Sequence, residues 1–431
     1  MAETTTQPVS IATAAWLRCA DTQAVLALLN ADGGAARIVG GAVRNELIGR
    51  PVVDIDIATT LEPAEVMARA EGASFRVIPT GLAHGTVTVV VGHHGFEVTT
   101  LREDLETFGR HATVAFTADW EADARRRDFT INALYADAAG TVHDPVGGYP
   151  DLVAGRVRFI GDPAARIGED YLRILRLFRF HAQYGRTGPE AADLAACVRL
   201  RAGLATLSRE RVHGELMRLL VARGGVATLD LMRGLGLLTL IVPAAPRPAV
   251  LSALVALEAA LGRTPDRALR LAALAVHDAA DAERLAARLA LSNAEAKALQ
   301  SAAIVLAGRP TAAPDEASVR AMVYRLGTTG SERAVLLSAA LAAVAADAPD
   351  PGTWPGFATW RNALAIAAHH QPLRFPLTGH DVKALGVAAG PEIGRLLGVI
   401  EARWIAGDFR EDRGALLQSL EREIAQRPGG S

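Results

Sequence analysis

Asp54 and Asp56 stand two residues apart in the run Val53-Asp54-Ile55-Asp56-Ile57-Ala58, whose alternation of apolar and polar residues predicts a strand. On a strand, that spacing projects both carboxylates from one face and sends Ile55 and Ile57 to the other. Two carboxylates forced together repel unless a cation neutralises them. Oxygen donors of this kind suit Mg²⁺, which is normally held by one or two carboxylates together with substrate phosphates. A pair of such ions about 3.5–4 Å apart is the usual machinery of in-line phosphoryl and nucleotidyl chemistry. A lone Asp-x-Asp is more often an incidental feature of a solvent-facing strand, so its neighbours decide. Upstream, Val39-Gly40-Gly41-Ala42-Val43-Arg44 predicts a strand passing through two glycines into a helix. Backbone approaches a ligand closely there, helix N-terminal amides meet phosphate, and the Arg44 guanidinium can fork onto a pair of phosphate oxygens. Glu97, on the predicted strand Phe96–Thr100, is a candidate third carboxylate for the metal, with an exposed strand glutamate as the equal alternative.

Two arginine-rich segments follow. In Arg125-Arg126-Arg127-Asp128-Phe129-Thr130-Ile131-Asn132, Arg127 offers a phosphate contact, while Asp128 and Asn132 offer hydrogen-bonding groups to a ribose. In Glu169-Asp170-Tyr171-Leu172-Arg173-Ile174-Leu175-Arg176-Leu177-Phe178-Arg179, the three-residue spacing predicts Asp170, Arg173, Arg176 and Arg179 as one stripe on a helix. Leu172, Leu175 and Phe178 face elsewhere, toward a core. Three arginines against one aspartate make a poor salt-bridge ladder. They make a good reader of a nucleobase edge, with the acid supplying acceptors and the arginines donors.

The elements that must carry these groups fall into two regimes. Up to about residue 145, helical and strand patterns mix: a helix over Trp16–Leu29, a strand over Arg37–Gly41, a helix over Ala42–Ile48, and strands Thr86–Val91 and Phe96–Thr100 joined by Gly92-His93-His94-Gly95. Beyond residue 160 the strand signals vanish and the chain is rich in alanine, leucine and arginine with helical periodicity. Half of the 431 residues are apolar and 21% are charged, which excludes wholesale disorder. The net charge is −2, so contact with nucleic acid must come from local patches; all but two of the 45 basic residues are arginine. Two cysteines, Cys19 and Cys197, exclude a disulfide framework and a four-cysteine zinc site. The first ten residues lack the pattern of a signal peptide, and apolar stretches such as Ala334–Ala346 are too short for a membrane span. A cytoplasmic protein without membrane contact is expected.

Taken in order, three motifs resemble the bacterial CCA-adding tRNA nucleotidyltransferase and poly(A) polymerase family, class II of the polymerase-β-like nucleotidyltransferases. They are Gly40-Gly41-Ala42-Val43-Arg44 with Asp54-Ile55-Asp56, Arg126-Arg127-Asp128-Phe129-Thr130-Ile131-Asn132-Ala133, and Glu169-Asp170-x-x-Arg173-x-x-Arg176. His84-Gly85-Thr86-Val87-Thr88-Val89, Leu207-Ser208-x-Glu210-Arg211 and Pro376-Leu377-Thr378-Gly379 extend the resemblance over most of the chain. The resemblance implies an α+β fold, with a small mixed α/β nucleotidyltransferase head (1–145) followed by an all-helical neck (146–260), body (261–375) and tRNA-contacting tail (376–431). It implies Mg²⁺ at Asp54 and Asp56, and a triphosphate held at Gly40, Gly41 and Arg44. Arg127 would contact the nucleotide, with Asp128 near the ribose. Asp170 and Arg173 would read the base of CTP or ATP, supported by Arg176 and Arg179, and Arg102–Asp123 would be a mobile loop.

The expected activity is addition of C, C and A to the 3′ end of tRNA with release of pyrophosphate. Poly(A) polymerase, a split CC- or A-adding enzyme and a non-catalytic RNA-binding helical protein are the alternatives. The family usually has Asp where this chain has Asn45, which points to an altered supporting contact rather than lost activity. Two further pairs read as structural: His93-His94 as a hairpin turn and His277-Asp278 as a helix-surface pair. Oligomeric state is not legible in the sequence.

Overall fold

The computed structural model describes residues 9–426 apart from 109, 110, 309 and 349. The chain forms two compact units, Met1–Ile241 and Val242–Ser431.

The first unit is built on strands β1 (Ala36–Val39), β2 (Asp56–Thr59), β3 (Arg76–Gly81), β4 (Thr86–Val91), β5 (His94–Thr100), β8 (Tyr135–Ala136) and β9 (Val142–His143). They make one sheet in the order β3-β4-β5-β2-β1-β8-β9. The β2–β5 pair is parallel and its register sets Asp56 beside Glu97; every other pair is antiparallel. Strands β6 (Arg102–Phe108) and β7 (His111–Phe116) form a separate two-stranded ribbon. The sheet is flanked by α1 (Ala20–Leu29), α2 (Gly41–Leu47) and α3 (Pro63–Gly72), and α4 (Trp120–Arg125) follows the ribbon. Alternating β-branched residues put Ile38, Ile57, Val87, Val89 and Val98 at 0–1% exposure, each burial stabilising by about 1.5–3 kcal/mol.

Among the described residues no strand follows β9. Helices α5 (Gly148–Ala154), α6 (Pro163–Glu169), α7 (Leu172–Tyr184), α8 (Ala191–Leu200), α9 (Arg209–Leu220), α10 (Gly225–Gly234) and α11 (Leu238–Ile241) complete the unit. On α7, Leu172, Ile174, Leu175, Leu177 and Phe178 are buried, leaving Arg173 and Arg176 less covered. The observed architecture is α+β, a mixed-sheet head followed by helices, as expected.

The second unit is helical. Leu377, Val382, Leu396, Ile400, Trp404, Leu416 and Leu420 pack into one apolar cluster. Arg270 and Glu258 form a buried pair at 2.6 Å. The long helix Glu316–Ala345 is broken at Gly327, whose φ of 72° glycine tolerates and other residues resist.

Three local expectations change. The first helix starts at Ala20, because Trp16 is held outside it: its indole nitrogen donates to Glu46 at 2.8 Å and its carbonyl accepts from the Thr22 hydroxyl at 2.8 Å. The 102–123 stretch is a ribbon followed by the start of α4 rather than a loop. The strand expected over 53–58 begins only at Asp56, level with Val39, where β1 ends. Asp54 therefore precedes the strand, and the two-residue strand spacing does not set its direction.

Candidate active site

Gly40 joins β1 to α2 with φ 71°, in the left-handed region that favours glycine. A side chain there would reach within 3.5 Å of the Asn132 carbonyl and 3.9 Å of the Arg127 guanidinium. The turn is therefore pressed against the 127–132 segment. Beside it, Asp56 is half-buried at the head of β2 and Asp54 is exposed just ahead. The Asp56 carboxyl is pushed up to about 6 by burial first, then by Glu97 and Asp54, with Arg127 opposing. A half-buried carboxylate whose proton affinity is raised by neighbouring carboxylates is the electrostatic signature of a cation seat. The donor set is all oxygen, which fits a hard divalent ion. The three carboxylates are not drawn together within 4.8 Å of one another. Glu97 is exposed on β5, in register with Asp56.

A continuous polar chain runs from the turn to α7. Arg44, 7% exposed on α2, donates to the Asn132 side-chain carbonyl. The Asn132 amide donates to Asp128 at 3.0 Å, and Asp128 accepts from Arg176 Nε at 2.6 Å. Burial would raise the Asp128 carboxyl, but Arg176, Asn132 and Arg173 hold it below the usual carboxylate range. Arg44 is turned inward. Its Nη2 donates to the Tyr184 hydroxyl at 2.7 Å, and Nε and Nη2 donate to Asn45 Oδ1 at 3.2 and 3.1 Å. Burial lowers its proton affinity.

Arg127 is anchored from the other side. Its Nη2 and Nε meet Asp123 Oδ2 at 3.0 and 3.2 Å, and Nε also meets the Tyr135 hydroxyl at 3.2 Å. Despite burial, Asp123 and Tyr135 hold Arg127 above its ordinary value.

The stripe expected on one helix is modified at its start. Asp170 falls in the break between α6 and α7, where its carboxylate accepts the Leu172 N–H at 3.1 Å. It caps the helix instead of riding on it. Arg211 of α9 grips the same carboxylate with both Nη atoms, at 3.1 and 2.5 Å. Arg173, Arg176 and Arg179 do share α7, and each pairs with an acid other than Asp170. Arg173 pairs with Glu169, Arg176 with Asp128, and Arg179 with buried Glu215. The imbalance of three arginines against one aspartate is thus resolved by one local partner, Glu169, and two tertiary ones, Asp128 and Glu215.

The residues that sequence reading missed are Asp123, Tyr135, Tyr184, Arg211 and Glu215. Asp123 had a readable signal, lying three and four residues before Arg126 and Arg127 on a helical stretch. Away from these groups, His94 opens β5 and pairs with Asp21 at 2.8 Å rather than sitting in the hairpin turn. With Cys19 they bring three donor atoms within 4.8 Å. His277 Nε2 lies 2.8 Å from the Ala245 carbonyl oxygen and Asp278 caps the following helix, so that pair is structural.

Residues 36–158 match the family described as the poly A polymerase head domain, and 190–246 match a probable RNA and SrmB-binding site of polymerase A. The chain is 34% identical over 391 residues to the mitochondrial CCA tRNA nucleotidyltransferase 1 of Danio rerio, spanning 89% of this chain and 86% of that protein. It is 39% identical over 203 residues to the CCA-adding enzyme of Latilactobacillus sakei, spanning 47% of this chain and 50% of that one. Among solved structures, the Bacillus stearothermophilus CCA-adding enzyme in complex with CTP superposes with a TM-score of 0.70 at 27% identity, covering 94% and 98% of the two chains. By its sequence over nearly its whole length, and by the fold and polar network just described, the chain belongs to the CCA-adding tRNA nucleotidyltransferase family with a poly(A) polymerase-type head.

Proposed function

We propose that this protein adds C, C and A to the 3′ end of tRNA, taking CTP and ATP as substrates and releasing pyrophosphate. The tRNA 3′-hydroxyl oxygen bonds to the α-phosphorus of the nucleotide, the α–β phosphoanhydride breaks, and the hydroxyl proton passes to solvent. The observation that carries the reading is the electrostatic load that Glu97 and Asp54 place on half-buried Asp56, beside a glycine turn that faces Arg127. That juxtaposition suits a cation and a polyanion bound side by side. Kinship with the CCA tRNA nucleotidyltransferases supplies the substrates.

Asp54 and Asp56, with Glu97 alongside, would hold the divalent cation that the family's chemistry calls for, with Mg²⁺ as the ion best suited to all-oxygen donors. Bound there, it supplies charge neutralisation and a lowered hydroxyl pKa. Gly40, Gly41 and Arg44 would seat the triphosphate and Arg127 would contact it, while Asp128 and Asn132 stand toward the ribose. Asp170 and Arg173 would present acceptors and donors to the base edge, with Arg176 and Arg179 fixing the helix behind them. A pocket built to hydrogen-bond one base edge leaves its own buried groups unpaired against another, which is how a protein discriminates bases without a template strand.

We assign 1–145 as the catalytic head, 146–260 as the neck, 261–375 as the body and 376–431 as the tRNA-contacting tail of a cytoplasmic enzyme. Among the described residues no helix is long and apolar enough to cross a membrane.

Extension of three tRNA transcripts, ending before CCA, after C and after CC, tests the reading with each nucleotide separately. Two C additions and one A, then a stop, are expected. A long A ladder would make the protein a poly(A) polymerase, and no extension by a folded protein would refute the enzyme reading.

A further inference from the structure

Arg44 is a buried cation whose hydrogen-bond partners are all neutral: Asn132, Asn45 and Tyr184. Among the described residues it makes no ion pair, and Asp128 acts on it only at a distance. Two aromatic rings complete its surroundings, with the guanidinium carbon 4.2 Å from the centre of Tyr184 and 5.3 Å from that of Phe180. An arginine cannot shed its charge to escape burial, so a guanidinium set among neutral acceptors and ring faces keeps its charge available to an incoming anion.

Tyr184 holds it there together with Asn45 and Asn132. It is the last residue of α7, and its hydroxyl accepts from Arg44 at 2.7 Å and donates to Asn45 Oδ1 at 3.2 Å, so one hydroxyl links the arginine to its neighbour. The end of α7 is itself clamped to the head. Arg50 donates to the Gln183 carbonyl at 2.6 Å and lies 4.7 Å from the Tyr184 ring centre. Phe180 stacks on Tyr184 at 5.9 Å.

We infer that Tyr184 is a positioning residue for the phosphate-binding end of the site. Its hydroxyl holds Arg44 in a neutral cradle beside the Gly41 turn, where the triphosphate would sit, and it acts on CTP and ATP alike because it governs phosphates rather than bases. This rests on the reading of Arg44 as a triphosphate ligand.

The test compares Tyr184→Phe and Arg44→Gln with wild type, as full-length protein, in steady-state extension of tRNA transcripts with CTP and with ATP. Inhibition by inorganic pyrophosphate is measured alongside. Tyr184→Phe keeps the ring and removes one hydrogen bond to a charged group. KM for both nucleotides should rise about tenfold, with kcat within about twofold. Pyrophosphate inhibition should weaken by the same factor as KM, and the preference between CTP and ATP should not change. A loss of general packing would instead lower kcat and leave pyrophosphate inhibition unmoved, which overturns the assignment. If Arg44→Gln weakens nucleotide and pyrophosphate binding while Tyr184→Phe does not, the role of Tyr184 is refuted. If neither variant changes them, the placement of Arg44 at the triphosphate fails and takes this inference with it.

Discussion

Replacing Asp123 by Asn should unlock Arg127 without changing the size of any side chain. The Asp123 side chain is 1% exposed and accepts on both oxygens. Oδ1 takes Arg126 Nη2 at 2.6 Å, while Oδ2 takes Arg127 Nη2 at 3.0 Å and the Tyr135 hydroxyl at 2.8 Å. An amide presents N–H on one side whichever way it turns, so it must face donors with a donor. Both guanidinia also lose their counter-charge while only 15% and 20% exposed. Removing one partner of a buried ion pair costs about 3–5 kcal/mol, and this carboxylate serves two cations.

Native-state hydrogen exchange of peptides spanning residues 120–136 reads the local opening energy. We expect Asp123→Asn to lower it by at least about 3 kcal/mol at neutral pH. The sign with pH follows from the depressed carboxyl, which Arg127 and Arg126 hold down against burial. Its stabilisation is complete above the unfolded-state value of about 3.9 and is lost as pH falls through the folded one, so the gap between variant and wild type closes in acid. Arg127→Gln should couple to Asp123→Asn, the double variant falling short of the sum. A loss below about 1 kcal/mol, or strict additivity, would refute the view that Asp123 anchors Arg127.

Other outcomes follow from single contacts. Asp193 is buried, its Oδ2 lacks a hydrogen-bond partner, and its carboxyl is pushed up to about 6 by burial and then by Glu190. Its raised value means the folded state holds the proton more tightly. Wild type should therefore lose up to about 3 kcal/mol between about pH 4 and pH 6, and Asp193→Asn should show no such slope in melting experiments. Gly148→Ala would place a Cβ 2.0 Å from the Thr130 carbonyl oxygen, next to the Asp128–Asn132 network. A cost of about 3 kcal/mol and a melting point lower by roughly 6–12 °C are expected; unchanged melting would contradict the contact. Arg211→Lys replaces a two-pronged grip on Asp170 by a single ammonium. Discrimination between CTP and ATP should relax while pyrophosphate inhibition holds, the reverse of the Tyr184→Phe pattern.

The candidate residues of this site were legible where they depend on residue type and short spacing. Asp54-x-Asp56, Gly40-Gly41 and the arginines of α7 all announce themselves within a few residues, and the loss of strand signals marks where the head gives way to helices. Partners that arrive from far along the chain were not legible. Tyr184 reaches Arg44 across 140 residues and Arg211 reaches Asp170 across 41, and no periodicity encodes either meeting. The placement of Asp54 was misjudged for a related reason. A strand's length depends on its neighbour, and β1 stops at the Gly40 turn before it can pair with Asp54. The parallel β2–β5 pairing that sets Glu97 beside Asp56 is likewise a property of the sheet and of neither segment alone.

The position of β1 has a consequence for how the protein is made. Val39 pairs with Asp56 on one side and with Tyr135 on the other. A growing chain can therefore satisfy one edge of β1 early, whereas the other stays open until β8 has left the ribosome. During that interval Ile38 and Val39 sit on an unpaired apolar edge, the kind that recruits stray strands. Slow translation between β5 and β8 prolongs the exposure, and brisk translation to Tyr135 ends it. Once Glu215 has emerged, every member of the polar network is in hand, before any of Val242–Ser431 exists. That half is thus the first to become foldable, and its hazard lies in the pause before β8 rather than in its length.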